Sequence, residues 1–398
     1  MGTFRLPKEW SRPAALAAIG LALLAASPHP AAASAVAWVL VVWPTALAIS
    51  AVLAVRAHLA PGLVGPVLVL CALNSLLLLR LDPPLAARAA VAWCVGLLAF
   101  AVLSELDPEA WWPRAGAAAG AGVALMFAAA GLGRAAGGAR AWLDFGGLTL
   151  QPSELFKPIW IVYLSGLFAA PGALGVRRNG LIAVAAGAAA ALLWQRDLGA
   201  ILVLAALWLA LAYAAGRRAG ALALGAAGLA VAAAAGWLAF AHVGVRFTAW
   251  LHPFADPDGA GFQTLRGLFA LRGGRLLGTG WGRDQSDTLV AGPTDYALAA
   301  VAEQLGWIGV LAVLATMVAL FLRIARIAQD HVGARRLVAL GIGVWLLGEA
   351  LLVSGGIARV WPLTGVTFPF LSYGGSSLVA CWCGLGLVNR IAWEGQSG

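Results

Sequence analysis

The residues best typed for chemistry lie in Pro293-Thr294-Asp295-Tyr296. Pro293 and Thr294 are helix-start residues, with Thr294 a candidate cap, so Asp295 falls in the first turn of the apolar helix that follows. A carboxylate there can take a proton from a hydroxyl, or it can simply decorate a helix N-terminus. The helix dipole favours its charged form and burial opposes it. A second constellation is Gln151-Pro152-Ser153-Glu154-Leu155-Phe156-Lys157-Pro158. Pro152 suits the first helical position, Glu154 the first turn, and Lys157 sits three residues on, on the same face. Pro158 opens the helix beside the pair. Three further acids, Asp197, Glu303 and Glu349, adjoin or lie within apolar runs. Glu349 needs a partner or a polar cavity, and a buried hydrogen bond serves it as well as a proton relay. Arg246, Arg266, Arg272, Arg275 and Arg283 share a glycine-rich stretch that suits either a diphosphate or anionic lipid. Trp361 to Ser377, with its prolines, glycines and hydroxyls, describes a broken or re-entrant segment beside a polar cavity near Asp295.

These residues are mounted on a membrane protein. Of 398 residues 62% are hydrophobic and 11% charged, against about 25% charged in soluble domains. Apolar runs of about 17–25 residues fall near 13–33, 35–55, 62–80, 85–103, 114–132, 152–170, 180–195, 198–216, 220–242, 295–322, 337–357 and 366–390. The expected fold is therefore all-α, a polytopic transmembrane bundle of about 12 spans. Between 132 and 152 lies a polar Gly/Arg connector. The stretch 243–294 is a long outward loop, whose length and aromatic content mark it as functional.

The net charge of +9 does not indicate nucleic acid. No Walker-type glycine loop and no basic stripe interleaved with aromatics is present. The cations sit between spans, as topology and contacts with membrane lipids require. With a cytoplasmic N-terminus, Arg5, Lys8, Arg12, Arg56, Arg114, Arg177, Arg178, Arg217, Arg218, Arg323, Arg326, Arg335, Arg336 and Arg390 are inside. Arg80, Arg88, Arg134, Arg140, Arg196 and Arg359 lie in short outer loops, so both termini are expected in the cytoplasm. Arg5, Lys8 and Arg12 before Ala14 to Ala26, followed by AAASA, imitate a secretory signal; because further spans follow at once, an uncleaved first span is expected. Cys71, Cys94, Cys381 and Cys383 lie in apolar runs, and neither a disulfide framework nor a metal site is expected from them.

The runs GGARAW, LQPSELFK, QRDLG, HPFADPDGAGFQ, PTDYALAAVAEQLG and PLTGVTFPFLSYGGSS occur in one order over about 140–398. Together they resemble the SEDS family, the RodA/FtsW-type peptidoglycan polymerases. The resemblance implies a glycosyltransferase of the bacterial cytoplasmic membrane that polymerises lipid II, with a class B penicillin-binding protein as partner. Asp295 matches the family's essential aspartate, the base for the acceptor hydroxyl. The substrate-binding set it implies is Arg246, Gln263, Arg283, Thr294, Glu154, Lys157 and Ser372. Outer-loop arginines, or a divalent cation (magnesium or manganese), would neutralise the departing diphosphate. Residues 61–398 correspond to the family's core of ten spans, and 1–60 to additional ones. The Glu and His that the family places before Thr-Asp are absent, and Arg196 stands where it prefers proline. A scaffold for a penicillin-binding protein and a lipid-linked-precursor transporter are the alternative functions.

Overall fold

The computed structural model describes residues 59–394 except 61, 137, 147, 171–172, 218–219, 221, 224, 228–240 and 281–291. The spans expected near 13–33 and 35–55 lie outside the described residues, as does most of 220–242. The remainder is a bundle of apolar helices, five of them long and apolar enough to cross a membrane.

The first three helices alternate in direction: α1 (Val64–Leu81), α2 (Pro83–Glu105) and α3 (Pro108–Leu132). Their turns are set by sequence. Asp82 accepts from Leu85 N at 3.1 Å and Asp107 from Glu109 N at 2.9 Å, each just before a proline in the first turn. The polar connector expected after α3 is a short antiparallel meander in order β1-β2-β3: Arg134–Ala136, Ala139–Phe145 and Leu148–Leu150. Its signal was weak because only β2 exceeds three residues.

Then follow α4 (Pro152–Ala169), α5 (Ala173–Gln195) and α6 (Leu198–Ala214). The long polar stretch between α6 and α9 includes two helices, α7 (Ala241–Leu251) and α8 (Phe262–Gly273). Three helices close the chain: α9 (Ala297–Gln329), α10 (Gly333–Ile357) and α11 (Gly375–Glu394). The last begins nine residues later than hydropathy suggests, because 358–374 is irregular.

Helix α4 is central, packed against α3, α6, α10 and α11. Helix α11 lies closely along α2, where a Cβ on Gly96 would sit 2.6 Å from the Trp382 ring. Trp382 in turn meets the edges of Phe100 and Phe370, at centroid distances of 5.6 and 5.8 Å. Helix α9 is two helices joined at Gly306, whose φ of 70° and ψ of −170° break the ladder. Residues 275–280 run alongside the break. Thr279 N donates to Glu303 O at 2.9 Å and Trp307 N to Arg275 O at 3.0 Å. That pairing satisfies backbone groups that lipid could not.

The alternation sorts the arginines. Arg114, Arg217, Arg323, Arg326, Arg335, Arg336 and Arg390 lie toward one end of the bundle; Arg80, Arg88, Arg134, Arg140, Arg196 and Arg359 lie toward the other, with Asp295. This is the division the sequence implied, and the protein is a multi-pass membrane protein.

Candidate active site

Six chain segments meet at the Asp295 end and enclose a cavity of about 550 Å³. Asp295 lies in the turn 292–296 just before α9, whose N-cap is Tyr296, so it precedes the helix and does not fall in its first turn as expected, and Thr294 is not the cap. This turn is bolted to the irregular segment before α11. Tyr373 N donates to Pro293 O at 2.7 Å, and the Ser372 hydroxyl donates to Thr294 O at 2.7 Å while accepting from Phe368 N at 3.1 Å. Asn74, buried within α1, donates through Nδ2 to Leu371 O at 2.5 Å. Thr367 donates to the Ser377 hydroxyl at 2.7 Å, and Gln151 N to the Ser376 hydroxyl at 2.9 Å. The hydroxyls in PLTGVTFPFLSYGGSS thus replace the hydrogen bonds that a helix would have supplied, as irregular backbone at membrane depth requires.

Asp295, Thr294, Arg246 and Gln263 all line the cavity, as do Asp197, Gln151 and Arg196. No described group donates a hydrogen bond to the Asp295 carboxylate. Partial burial pushes its pKa up, and the Arg246 guanidinium partly offsets this. Arg246 is aimed by a hydrogen bond from Nη1 to Thr364 O at 2.9 Å. Gly365 makes room for that approach: its φ is +75°, and a Cβ there would stand 3.1 Å from Nη2 of Arg246. The carboxylate of Asp197 caps α6 through Ala200 N at 3.0 Å and accepts from Gln151 Nε2 at 3.2 Å. Burial raises its pKa as well, against the lowering effect of the Ala200 N–H. The base of α8 is fixed where Gly267 admits the ring of Tyr296.

Three of the residues expected to bind substrate do not line the cavity. Lys157 is fully buried and donates to Glu154 Oε1 at 2.6 Å and to Glu349 Oε1 at 2.5 Å. Its ammonium also sits 5.8 Å from the centre of the Trp345 ring. Neither Lys157 nor Glu154 reaches the cavity wall. Lys157 bridges Glu154 and Glu349 and so ties α4 to α10, while the second carboxylate oxygens of both acids have no described hydrogen-bond partner. Ser372 is likewise buried behind the wall, where it holds the Thr294 carbonyl. Arg283 lies outside the described residues. Conversely, sequence reasoning gave no role to Trp142 and Thr149 of the meander, which also line the cavity. Only the location of a strand pair at the bundle's end could have found them.

The arrangement offers a carboxylate with open lone pairs, a guanidinium beside it, and a polar chamber of the size range of small-molecule sites. It suits proton abstraction from a hydroxyl while negative charge develops nearby. Among the described residues no three His, Cys, Asp or Glu side chains come together as a metal site.

Comparison with known proteins agrees in fold and sequence. The FtsW/RodA/SpoVE profile, described as a cell cycle protein, matches residues 45–397. The chain belongs to this family. The peptidoglycan glycosyltransferase RodA of Mycobacterium tuberculosis (strain ATCC 25618 / H37Rv) is 34% identical over 273 residues, covering 64% of this chain and 58% of that protein. The chain thus spans little more than half the length of such curated relatives. Among solved structures, a chain from a peptidoglycan synthase complex superposes with a TM-score of 0.71 at 29% identity, covering 85% of this chain and 99% of that one. RodA of Thermus thermophilus superposes with a TM-score of 0.63 at 26% identity over 84% of this chain and 97% of that one.

Proposed function

We propose that this FtsW/RodA/SpoVE-family protein is a peptidoglycan glycosyltransferase that polymerises lipid II at the outer face of the bacterial cytoplasmic membrane. The observation that carries the proposal is the Asp295 carboxylate, held on the wall of the cavity with no donor among the described residues and with Arg246 beside it. Asp295 takes the proton of the acceptor sugar hydroxyl as that oxygen attacks the anomeric carbon of the donor. The bond to the diphosphate breaks in the same displacement, and the configuration at that carbon inverts. Arg246 balances the negative charge near the reacting centre. A divalent cation, if one takes part, would add charge neutralisation at the diphosphate. The described cavity lining offers it two carboxylates, Asp197 and Asp295, and cations of this kind are commonly held by one or two carboxylates plus substrate phosphates.

The arginine distribution supports an orientation with the cavity end outward and both termini in the cytoplasm. A class B penicillin-binding protein is the proposed partner. Its support is that the matched chain of 29% identity belongs to a complex described as coordinating polymerization and crosslinking. The transporter alternative is disfavoured because Lys157, Glu154 and Glu349 are tied together away from the cavity. The test is glycan polymerisation from purified lipid II by wild type and Asp295→Ala, with and without the partner. Polymer from wild type alone supports the enzyme. Equal product from both removes Asp295 from the mechanism. No product from either, with a stable complex, makes the chain a scaffold.

A further inference from the structure

Three arginines line the described cavity, and two of them have a local task. Arg359 donates through Nε to Trp250 O at 2.9 Å, and Trp250 Nε1 donates back to Arg359 O at 2.9 Å, clamping α7 to the end of α10. Arg246 is turned to Thr364 O. No described group accepts from the guanidinium of the third, Arg196.

Its backbone makes this harder to dismiss. Asp197 N donates to Leu192 O at 2.9 Å and Arg196 N to Leu193 O at 3.1 Å, the pair of bonds that closes a helix with a left-handed residue. That residue is usually glycine, and here it is Arg196 at φ 62°. Arg359 occupies the matching position after α10 at φ 59°, where Val360 N donates to Gly355 O at 2.7 Å. There the clamp on α7 explains why an arginine is kept. At Arg196 the protein carries the same strained choice with no structural return, a pattern that points to function.

The surroundings say which function. Leu193 and Trp194, three and two residues before it, are 43% and 61% exposed on the lipid-facing surface, while Gln195 between them and Arg196 is buried; Trp194 meets the edge of Phe127 at 6.2 Å. Tryptophan at the end of a span marks the interfacial level of the bilayer. The residue after it, Asp197, is already inside the cavity. Arg196 therefore stands where lipid gives way to the polar chamber. A lipid-linked substrate would carry its diphosphate through this point, tail in the bilayer and sugars in the cavity.

Resting on the function proposed above, we propose that Arg196 binds the diphosphate of the lipid-linked substrate at this border and sets affinity rather than turnover. Its planar fork matches two phosphate oxygens, which the compact lysine ammonium does not.

The variant that tests this is Arg196→Gly, because glycine adopts φ 62° without strain and removes only the guanidinium. The full chain in phosphatidylcholine nanodiscs is titrated with farnesyl diphosphate, read by tryptophan fluorescence, and its lipid II polymerisation is measured in parallel. The expected result is a loss of diphosphate affinity on the order of tenfold, a similar rise in KM, and kcat within about twofold. Melting temperature should hold or rise, and Arg196→Lys should fall between. An unchanged affinity in Arg196→Gly overturns the proposal, as does failure of wild type to bind farnesyl diphosphate. A matching loss of affinity for discs of phosphatidylglycerol would assign Arg196 to bulk anionic lipid and overturn the substrate role. Weaker lipid II use with intact farnesyl diphosphate binding would shift the contact to the substrate's peptide or sugars, and also overturns it. Guanidinium-dependent diphosphate binding without polymer from wild type would sink the glycosyltransferase reading alone.

Discussion

The cavity around Asp295 and the cluster around Lys157 both place ionisable groups in an apolar protein, and they handle them in opposite ways. In the cluster, one ammonium is surrounded by two carboxylates on neighbouring helices, all three buried. At the cavity, Asp295 has no hydrogen-bond donor among the described residues, and burial raises the cost of its charge. Charge that is paired holds helices together, whereas charge that is left without a donor is available to a substrate. Rarity of ionisable residues within spans does not distinguish the two cases; a direct salt bridge does.

The largest effect is expected from Asp295→Ala. Polymerisation should fall by about 10²–10⁴-fold, the usual weight of a general base, while the chain purifies and melts as wild type. If the variant instead fails to fold, the cavity is structural after all. Lys157→Met should do the reverse, destabilising by about 3–5 kcal/mol because two buried carboxylates lose their common partner. The readout is detergent-resistant folded yield. Adding Glu154→Gln and Glu349→Gln should restore much of it, and rescue by this triple variant would separate packing from chemistry.

A pH series sharpens the contrast further. Activity should decline as pH falls through the Asp295 pKa, which burial lifts above the ordinary 3.8. Arg246→Gln removes the opposing charge, so the acid limb of the rate profile should move to higher pH. Asp295 also has a stability signature of defined sign. Folding raises its pKa, so the native chain holds this proton to higher pH than the unfolded chain. Its contribution to stability therefore falls as pH rises from the unfolded value to the folded one. Asp295→Asn should accordingly melt slightly higher than wild type above that window and no higher below it. The smallest effect expected is from Ser372→Ala, about 0.5–1.5 kcal/mol for the lost hydrogen bond to Thr294 O. It should appear as a modest loss of activity with Asp295 still in place.

The described spans, their alternation, the long polar stretch and the candidacy of Asp295 were legible in the chain. Hydropathy and cation placement are local properties, and each survives being read one segment at a time; the start of α9 was read two residues early, since its N-cap is Tyr296 and not Thr294. The link between Asp295 and the Trp361–Ser377 run was legible too, since irregular backbone at that depth demands a polar surround. Which acid was paired and which was open was not legible. Glu154 and Lys157 look like a site at three-residue spacing until Glu349, almost two hundred residues on, closes the cluster from α10. Ser372 reads as a contact residue until its hydroxyl is seen turned to the Thr294 carbonyl. The strain at Arg196 is invisible in one-letter code, because left-handed backbone leaves no mark when the residue is not glycine. Spacing reports neighbours along one helix, whereas partnership between helices depends on how the bundle closes, and only the tertiary structure decides that.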